Sequence, residues 1–343
     1  MDVKSAMQAI RKGKTAPIYV LYGTEKYQMK QFLNTLKEQM IEPDHQEFAM
    51  VSYDLSDTPI EAVVEEANTA PFLVPSKLIT VRDSNLLSAA KDTSKIEHRI
   101  ETLLSYIEQP AEYSVIVFVV YADKLDERKK LVKQLKSAGV VLHFSPLGSD
   151  DLLQWISHKA EEQQVMLDTS TAELLIRYAG TGLETLAAEI DKLCLYAGRG
   201  GTVTGSDIEE LVPRSTEQNV FVMVEELANL HIQNALAIFY ELLKQREEPI
   251  KIAALITRQF RIMLQVKELM RQNYSQQQIA GQLSLHPYAV KIAGEQARRF
   301  SLQQLSGMLH ELAELDYRMK SGQIDKVLGI ELLFLKLGAG QSA

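Results

Sequence analysis

The sequence has one cysteine and no long hydrophobic run, and each of these limits narrows what the protein can be. Cys194 has no second cysteine to pair with, so a disulfide within the chain is excluded and the reducing cytoplasm is the expected location. The longest apolar run, VIVFVV at residues 115–120, is far too short to span a bilayer. The first residues lack the apolar stretch of a signal peptide. We therefore expect no membrane partner.

The chain also has fewer basic than acidic residues. Lys and Arg number 37 against 45 Asp and Glu, which gives a formal net charge of −8 and a pI near 5.5. A protein that wraps DNA by bulk positive charge would have the opposite balance. Any contact with DNA must therefore come from a local basic patch or from partner subunits.

Motifs for metal and nucleophilic chemistry are missing as well. The seven histidines are scattered and form neither an HExxH motif nor a Cys/His cluster, and no GxSxG elbow is present. Cys194 lies in the helical apolar pattern LAAEIDKLCLYA, which predicts a packed core thiol rather than a reactive one. We expect no catalytic residue, no metal and no cofactor.

The chain of 343 residues has an ordinary globular composition, with 46% hydrophobic and 24% charged residues, and is long enough for two or three domains. Up to residue 146, strand-like runs alternate with helix-like segments, which predicts a parallel sheet covered by helices. The strand-like runs are residues 17–23, 47–55, 77–83, 113–122 and 140–145.

Beyond Pro146 the periodicity is almost entirely helical. A small helical group ends near Pro213, and a larger one follows it. The predicted domains are therefore an α/β domain at residues 1–146, a small helical domain at 147–213 and a larger helical domain at 214–343.

The turn after the first strand occupies the place of a phosphate-binding loop, GxxxxGK[ST], but lacks its chemistry. Gly23 is present, whereas Gln28 replaces the second Gly, Met29 the Lys and Lys30 the Ser or Thr. Without these residues neither phosphate nor magnesium has its usual partners, so we expect a degenerate, non-functional nucleotide loop. Thr24 is the predicted N-cap of the following helix.

The central strand VIVFVV is followed by an acidic residue, Asp123, at roughly the place of a magnesium-binding carboxylate. No second acidic residue follows, because the next residues are Lys124 and Leu125. We interpret Asp123 as a turn or capping residue.

An apolar junction, Pro71-Phe72-Leu73-Val74, lies between a predicted helix and a predicted strand. Such junctions lie at the surface. Adjacent large apolar residues there indicate either a local anchor in the core or a plug that docks into another protein. The pattern alone leaves both interpretations open.

Two further segments can be interpreted either as ordinary structural features or as binding sites. The basic residues Arg128, Lys129, Lys130 and Lys133 form either a solvated helix face or a contact for DNA or an acidic subunit. Residues 275–293 resemble a helix-turn-helix, which indicates either helix packing or a DNA-binding regulator.

Several segments, in the same order along nearly the whole chain, resemble the delta subunits of bacterial DNA polymerase III of the Gram-positive type. These segments are PIYVLYGTEKY, APFLVPSKLITV, DKLDERKKLVKQLK, EQNVFVMVEEL, LLKQREEPIKIAALITRQFRIMLQ, LSLHPYAVKIAGEQARRFS and ELDYRMKSGQIDK. The resemblance implies an AAA+-like α/β domain with a degenerate nucleotide site, followed by a helical lid and a helical collar.

The resemblance also implies a function in DNA replication. A subunit of this family belongs to the clamp loader of the DNA-directed DNA polymerase holoenzyme, a nucleotidyltransferase complex, and has no catalysis of its own. Its implied partners are the sliding clamp (the beta subunit), ATP-binding and delta-prime loader subunits, and primed DNA through the complex. Phe72 and Leu73, flanked by Pro71 and Val74, would enter a pocket on the clamp and help to open its ring. The alternative functions are an active AAA+ ATPase and a DNA-binding regulator that uses residues 275–293.

Overall fold

A parallel five-stranded sheet forms the centre of the first of two units, Met1–Pro146 and Leu147–Ala343. The computed structural model describes residues 2–82, 85–89 and 96–340. In this part of the chain the strands are β1 (Ile18–Gly23), β2 (Met50–Asp54), β3 (Lys77–Arg82), β4 (Ser114–Val120) and β5 (Val140–Phe144). They lie in the order β2-β3-β4-β1-β5, and every neighbouring pair is parallel.

Helices cover both faces of this sheet. They are α1 (Val3–Arg11), α2 (Lys26–Met40), α3 (Gln46–Ala49), α4 (Ile60–Asn68), α5 (Ile100–Glu108) and α6 (Lys130–Ala138), with 3₁₀ turns at Pro43–His45 and Asn85–Leu87. Alternate residues of β4 point into two cores: Ile116 and Phe118 pack with α4, α5 and α6, whereas Val117 and Val119 pack with α1 and α2. Every residue of β4 is buried, as its continuous apolar run predicts.

The five predicted strands are all present, and their ends lie within three residues of the predicted ones. Asp83, the last residue of the third predicted strand, lies outside the described residues. Residues 47–49 were predicted to begin the second strand, but they belong to the helical turn α3, and β2 starts at Met50. Glu47 and Phe48 are both exposed, so the burial of residues 47–49 does not alternate as on a strand. Alternation over so few residues does not distinguish the two structures.

The second unit is helical throughout the described residues, apart from one isolated bridge between Met166 and Thr202. Its helices are α7 (Ser149–Glu161), α8 (Thr169–Ala179), α9 (Leu183–Ala197), α10 (Gly205–Leu211), α11 (Thr216–Ala228), α12 (Ile232–Lys244), α13 (Pro249–Arg271), α14 (Gln276–Leu283), α15 (Pro287–Ala297), α16 (Leu302–Lys320) and α17 (Lys326–Gly340).

Large aromatic residues fill the main core of this unit, where Phe239 packs edge-on against Phe334, and Phe260 against Phe300. Cys194 of α9 is buried, as its apolar pattern predicts, and burial raises the pKa of its thiol. The division of this unit into two domains at residue 213 stays a prediction. No helix in the described ranges is both long enough and apolar enough to cross a membrane.

Gly23, at the end of β1, is the tightest backbone position in the first unit. Its φ is +135°, and a Cβ atom built on it would lie 2.0 Å from the carbonyl oxygen of Phe144. Only glycine fits this approach, because any side chain meets both strain and a backbone clash.

We expect Gly23→Ala to lower the free energy of unfolding by about 2–4 kcal/mol. Thermal unfolding followed by circular dichroism measures this loss. Gly307→Ala is the matched control, because Gly307 lies within α16 and a Cβ there meets nothing within 4 Å. The control should gain about 0.5–1 kcal/mol, since alanine is the better helix former. Equal unfolding temperatures for Gly23→Ala and the wild type would contradict the predicted clash.

Candidate docking loop and remodelled nucleotide edge

The parallel sheet has two chemically different edges, and the predicted sites lie at opposite ones. The degenerate nucleotide loop follows β1 at the edge formed by the carboxyl ends of the strands, where ligands of open α/β sheets bind. The Phe72–Leu73 pair precedes β3, at the edge formed by the amino ends. We call these the nucleotide edge and the docking edge.

At the nucleotide edge, two backbone amides after β1 are hydrogen-bonded to the chain's own backbone. The amides of Thr24 and Glu25 both donate to the carbonyl oxygen of Phe144, at 3.0 Å each. In a phosphate-binding loop, successive amides of this kind point at the ligand. Here they are engaged within the protein, because β5 lies against Gly23.

The N-terminus of α2 has an internal anion as well. Glu25, not the predicted Thr24, is the N-cap, and its carboxylate accepts a hydrogen bond from the amide of Tyr27 at 3.3 Å. Burial raises the pKa of Glu25. A carboxylate at a helix N-terminus interacts with the same positive end of the dipole that would attract phosphate. It also repels a second anion.

The three residues that replace the phosphate-loop motif are used structurally or face solvent. Met29 is only 1% exposed and belongs to the core under α1 and α2. Gln28 is half-buried and Lys30 is exposed. Lys26, the nearest other lysine, lies over the ring of Tyr121 at 4.9 Å from its centroid.

Asp123 faces a histidine rather than a metal site. Its Oδ1 is 4.0 Å from Nε2 of His143, whose ring stacks on Tyr22 with the centroids 4.6 Å apart. Asp123 is largely exposed. In the described residues, no group of three or more His, Cys, Asp or Glu side chains could hold a metal ion.

At the docking edge, Phe72 and Leu73 point into solvent, with 78% and 69% of their surface exposed. Leu73 has a φ of +63°, an uncommon conformation for a branched residue. Pro71 and Val74 are half-buried, and Val74 packs against the core under α1 and α2. The core-anchor interpretation therefore applies to Val74, whereas Phe72 and Leu73 form an apolar pair directed away from the protein.

Residues that the sequence did not single out hold the helix that leads into this loop. Lys77 Nζ donates to the carbonyl oxygen of Glu66 and, at 2.7 Å, to its carboxylate. Ser114 Oγ donates to the carbonyl oxygen of Ala67 at 2.7 Å, and the Tyr113 hydroxyl donates to that of Asn68 at 2.6 Å. Their signal in the sequence is weak, consisting only of polar residues at the first positions of two apolar strands.

The basic segment has less unpaired charge than its composition indicates. Arg128 forms a two-bond ion pair with Asp126, with both distances 2.9 Å, and this lowers the pKa of Asp126 to about 2. Lys129 Nζ donates to the carbonyl oxygens of Leu86 and Ser88. Of the four predicted contact residues, Arg128, Lys130 and Lys133 are exposed, whereas Lys129 is half-buried.

The predicted helix-turn-helix is formed by α14 and α15, but its second helix is buried. Ser284 adopts the left-handed conformation at the turn, with a φ of +52°. Of the 11 residues in α15, eight are buried, and Val290 packs with Ile279 of α14 and Val266 of α13. A recognition helix must expose side chains to the major groove, so this arrangement supports helix packing.

Comparison with known proteins gives a consistent result. The family model for "DNA polymerase III, delta subunit" matches residues 19–145, and the model for the C-terminal domain of the same subunit matches residues 217–337. The DNA polymerase III subunit delta of Bacillus subtilis is 38% identical over 96% of this chain and 95% of its own length. A probable delta subunit of Aquifex aeolicus is 22% identical over 70% of this chain and 67% of its own.

The structure is also similar to the solved structure of the Bacillus subtilis DNA clamp loader delta protein. The TM-score is 0.77, with 38% identity, and the match covers 98% of this chain and 99% of that one. This match confirms the expected order of an α/β part followed by helices.

We expect the purified chain to show no saturable ATP binding up to about 1 mM, which corresponds to a binding free energy of about −4 kcal/mol. The combined change Gln28→Gly, Met29→Lys and Lys30→Thr should not restore binding, because Phe144 still accepts the two amide hydrogen bonds. Titration calorimetry tests both proteins. ATP turnover that is lost on substitution of Gly23 or Lys26 would contradict the prediction.

Proposed function

The chain belongs to the family of DNA polymerase III delta subunits, and from this we propose that it is a clamp-loader subunit that binds a sliding clamp and holds its ring open. The ring would then be loaded onto primed DNA during replication, in the cytoplasm. The observation that carries this proposal is the exposed pair Phe72 and Leu73 at the docking edge. Adjacent large apolar side chains that leave the core entirely are a feature of binding surfaces, because water solvates them poorly.

The pair is suited to act as the anchor of an interface. A Phe and a Leu that move from water into an apolar pocket contribute about 1.5–3 kcal/mol each. Such central, fully desolvated anchors carry most of the binding energy of protein interfaces. A loop with these residues would thus bind the clamp by insertion.

Opening of the ring needs one further condition. A ligand shifts an equilibrium between two states only by the difference in its affinity for them. The chain would therefore bind more tightly to a clamp with an open interface than to a closed one. In this mechanism it supplies binding energy, and ATP-binding partner subunits control when the docking edge is accessible.

The nucleotide edge supports a mechanical role over ATP hydrolysis. Phosphoryl transfer depends on positioned amides, a lysine and magnesium to stabilise the developing charge. At this edge the amides of Thr24 and Glu25 donate to the carbonyl oxygen of Phe144. Met29, at the position of the motif's lysine, is buried in the core. The DNA-regulator alternative is disfavoured by the buried α15.

Residues 214–343 are the proposed collar that joins the other loader subunits. In α17, Ile330 and Phe334 are buried in the core, yet Leu328, Leu332 and Leu335 are 47%, 49% and 54% exposed. The exposed residues recur at intervals of four and three, so they form one stripe on the outer side of the helix. A helix that is apolar on both sides is suited to lie between its own core and a partner.

Contact with DNA or an acidic subunit is a weaker part of the proposal. The residues concerned are Arg128, Lys129, Lys130 and Lys133. Because Arg128 and Lys129 have internal partners, Lys130 and Lys133 of α6 are the best placed to bind phosphate or carboxylate groups.

We expect Phe72→Ala combined with Leu73→Ala to weaken clamp binding by about two to four powers of ten, at 1.4 kcal/mol for each. The affinity is measured by surface plasmon resonance with the organism's own clamp. Circular dichroism and the melting temperature should stay near the wild-type values, because neither side chain belongs to the core. Clamp removal from circular DNA should be lost together with binding.

The matched control is Leu195→Ala combined with Tyr196→Ala, an adjacent apolar pair that is 81% and 60% exposed in the second unit. It should leave clamp affinity unchanged. If the Phe72 and Leu73 variant stays folded and binds the clamp normally, the docking site lies elsewhere. If it unfolds, the pair contributes to folding.

We expect Leu328→Glu combined with Leu332→Glu to abolish co-purification with the other loader subunits, because charge would be buried in the interface. Clamp binding by the chain alone should persist. Leu328→Met with Leu332→Met is the control and should assemble normally. Assembly of the glutamate variant at wild-type levels would show that α17 does not form the collar interface.

A further inference from the structure

The C-terminal end of α4 is bonded more completely than a helix end requires. The last four carbonyl groups of an α-helix have no partner within the helix, and water usually satisfies them. In α4 the last four carbonyl groups are those of Glu65, Glu66, Ala67 and Asn68, and the amide of the C-cap residue Thr69 donates to the first two. Each accepts a hydrogen bond from outside the helical ladder: the first from the hydroxyl of Thr69 at 2.9 Å, and the others from Lys77, Ser114 and Tyr113.

Two of these last three donors pair with each other in the sheet, and the third, Tyr113, directly precedes Ser114. Lys77 and Ser114 are the first residues of β3 and β4, and they pair with each other in register. The amide of Lys77 also donates to the carbonyl oxygen of Tyr113 at 2.9 Å. The first residues of the β3–β4 pair thus donate hydrogen bonds to the last turn of α4. The sheet therefore fixes the direction in which the chain leaves α4.

Lys77 has the central place in this arrangement. It is only 3% exposed, and its ammonium group lies at the negative end of the helix dipole beside the carboxylate of Glu66. Lysine is rarely buried to this extent unless it is paired. The residue also ends the docking loop, which runs from Thr69 to Ser76, while its side chain reaches back to the helix before that loop. A single residue therefore fixes both ends of the loop.

We propose that Lys77, assisted by Ser114 and Tyr113, is a positioning residue that holds the docking loop in its binding-competent conformation. This inference rests on the proposed function of Phe72 and Leu73. Lys77 is too deeply buried to be the anchor itself, so it acts through the loop. A loop that is ordered before binding does not lose that conformational freedom on binding. The apparent affinity falls in proportion to the fraction of molecules whose loop is competent.

The test is Lys77→Met, which keeps the apolar stem and removes the ammonium group. Clamp affinity should fall about tenfold, as expected when the competent fraction drops to about one tenth. Tyr113→Phe removes one oxygen at the border of the site and should cost about threefold. Lys192→Met is the matched control, because Lys192 also caps a helix, donating to the carbonyl oxygen of Leu211, but lies in the second unit. It should bind the clamp as tightly as the wild type.

A double-mutant cycle separates positioning from a general loss of stability. In a Leu73→Ala background, Lys77→Met should weaken binding by only about threefold, because part of what it positions is gone. Hydrogen exchange should accelerate at residues 69–77 and stay unchanged in β1. The same tenfold effect in both backgrounds, or a folded Lys77→Met protein with wild-type affinity, would overturn the inference.

Two other outcomes are distinguishable from these. If Lys77→Met does not fold, the double-mutant cycle is measured with Tyr113→Phe in its place. A clamp affinity of Tyr113→Phe equal to that of the wild type would then overturn the inference. If Phe72→Ala with Leu73→Ala leaves clamp binding intact, the proposed docking function fails, and the role of Lys77 fails with it.

Discussion

The parallel pairing of β3 with β4 is the constraint on which the docking edge depends. It places the first residues of two strands side by side, so Lys77 and Ser114 lie next to each other although 36 residues separate them in the chain. Because all the strands are parallel, the residues that immediately precede the strands lie at one edge of the sheet, and the residues that immediately follow them lie at the other. A loop that precedes β3 therefore cannot share a site with the turn that follows β1. The separation of the docking edge from the nucleotide edge is a property of the topology.

The same topology explains which features the sequence could predict. The strands are apolar runs, and the continuous run of β4 predicts its burial on both faces. Helix α2 is also predicted, but its N-cap is not, because N-cap preferences favour Thr24 and the structure has Glu25 there. The choice depends on Phe144, whose carbonyl oxygen binds the amides of both residues. The local sequence around α2 cannot predict that contact, because Phe144 belongs to a strand more than 100 residues away.

The docking loop shows more clearly how little of the side-chain orientation can be predicted from sequence. Phe72, Leu73 and Val74 are apolar neighbours, and composition cannot tell which of them faces inward. The structure turns Val74 to the core and the other two to solvent, and the positive φ of Leu73 is part of that turn. The role of Lys77 was equally hidden. A lysine at the start of a strand is ordinarily solvated, and its burial becomes understandable only when the end of α4 is known to lie beside it.

The nucleotide edge shows how a lost ligand site can become structural. Backbone amides and a helix N-terminus need negative partners whether or not a nucleotide is present. In this chain the Phe144 carbonyl and the Glu25 side chain supply those partners, and Met29 adds apolar packing at the position of the motif's lysine. These hydrogen bonds are made within the chain, which supports the expectation that no nucleotide binds at this edge. In the proposed clamp loader, a conformational signal from ATP would then originate in another subunit and reach this chain through an interface. The outer leucines of α17 are suited to such a contact, because they belong to a helix whose other side is already fixed in the core of the second unit. With Phe72 and Leu73 exposed in the first unit and the outer leucines of α17 exposed in the second, the chain has an apolar surface for each of the two proposed kinds of partner.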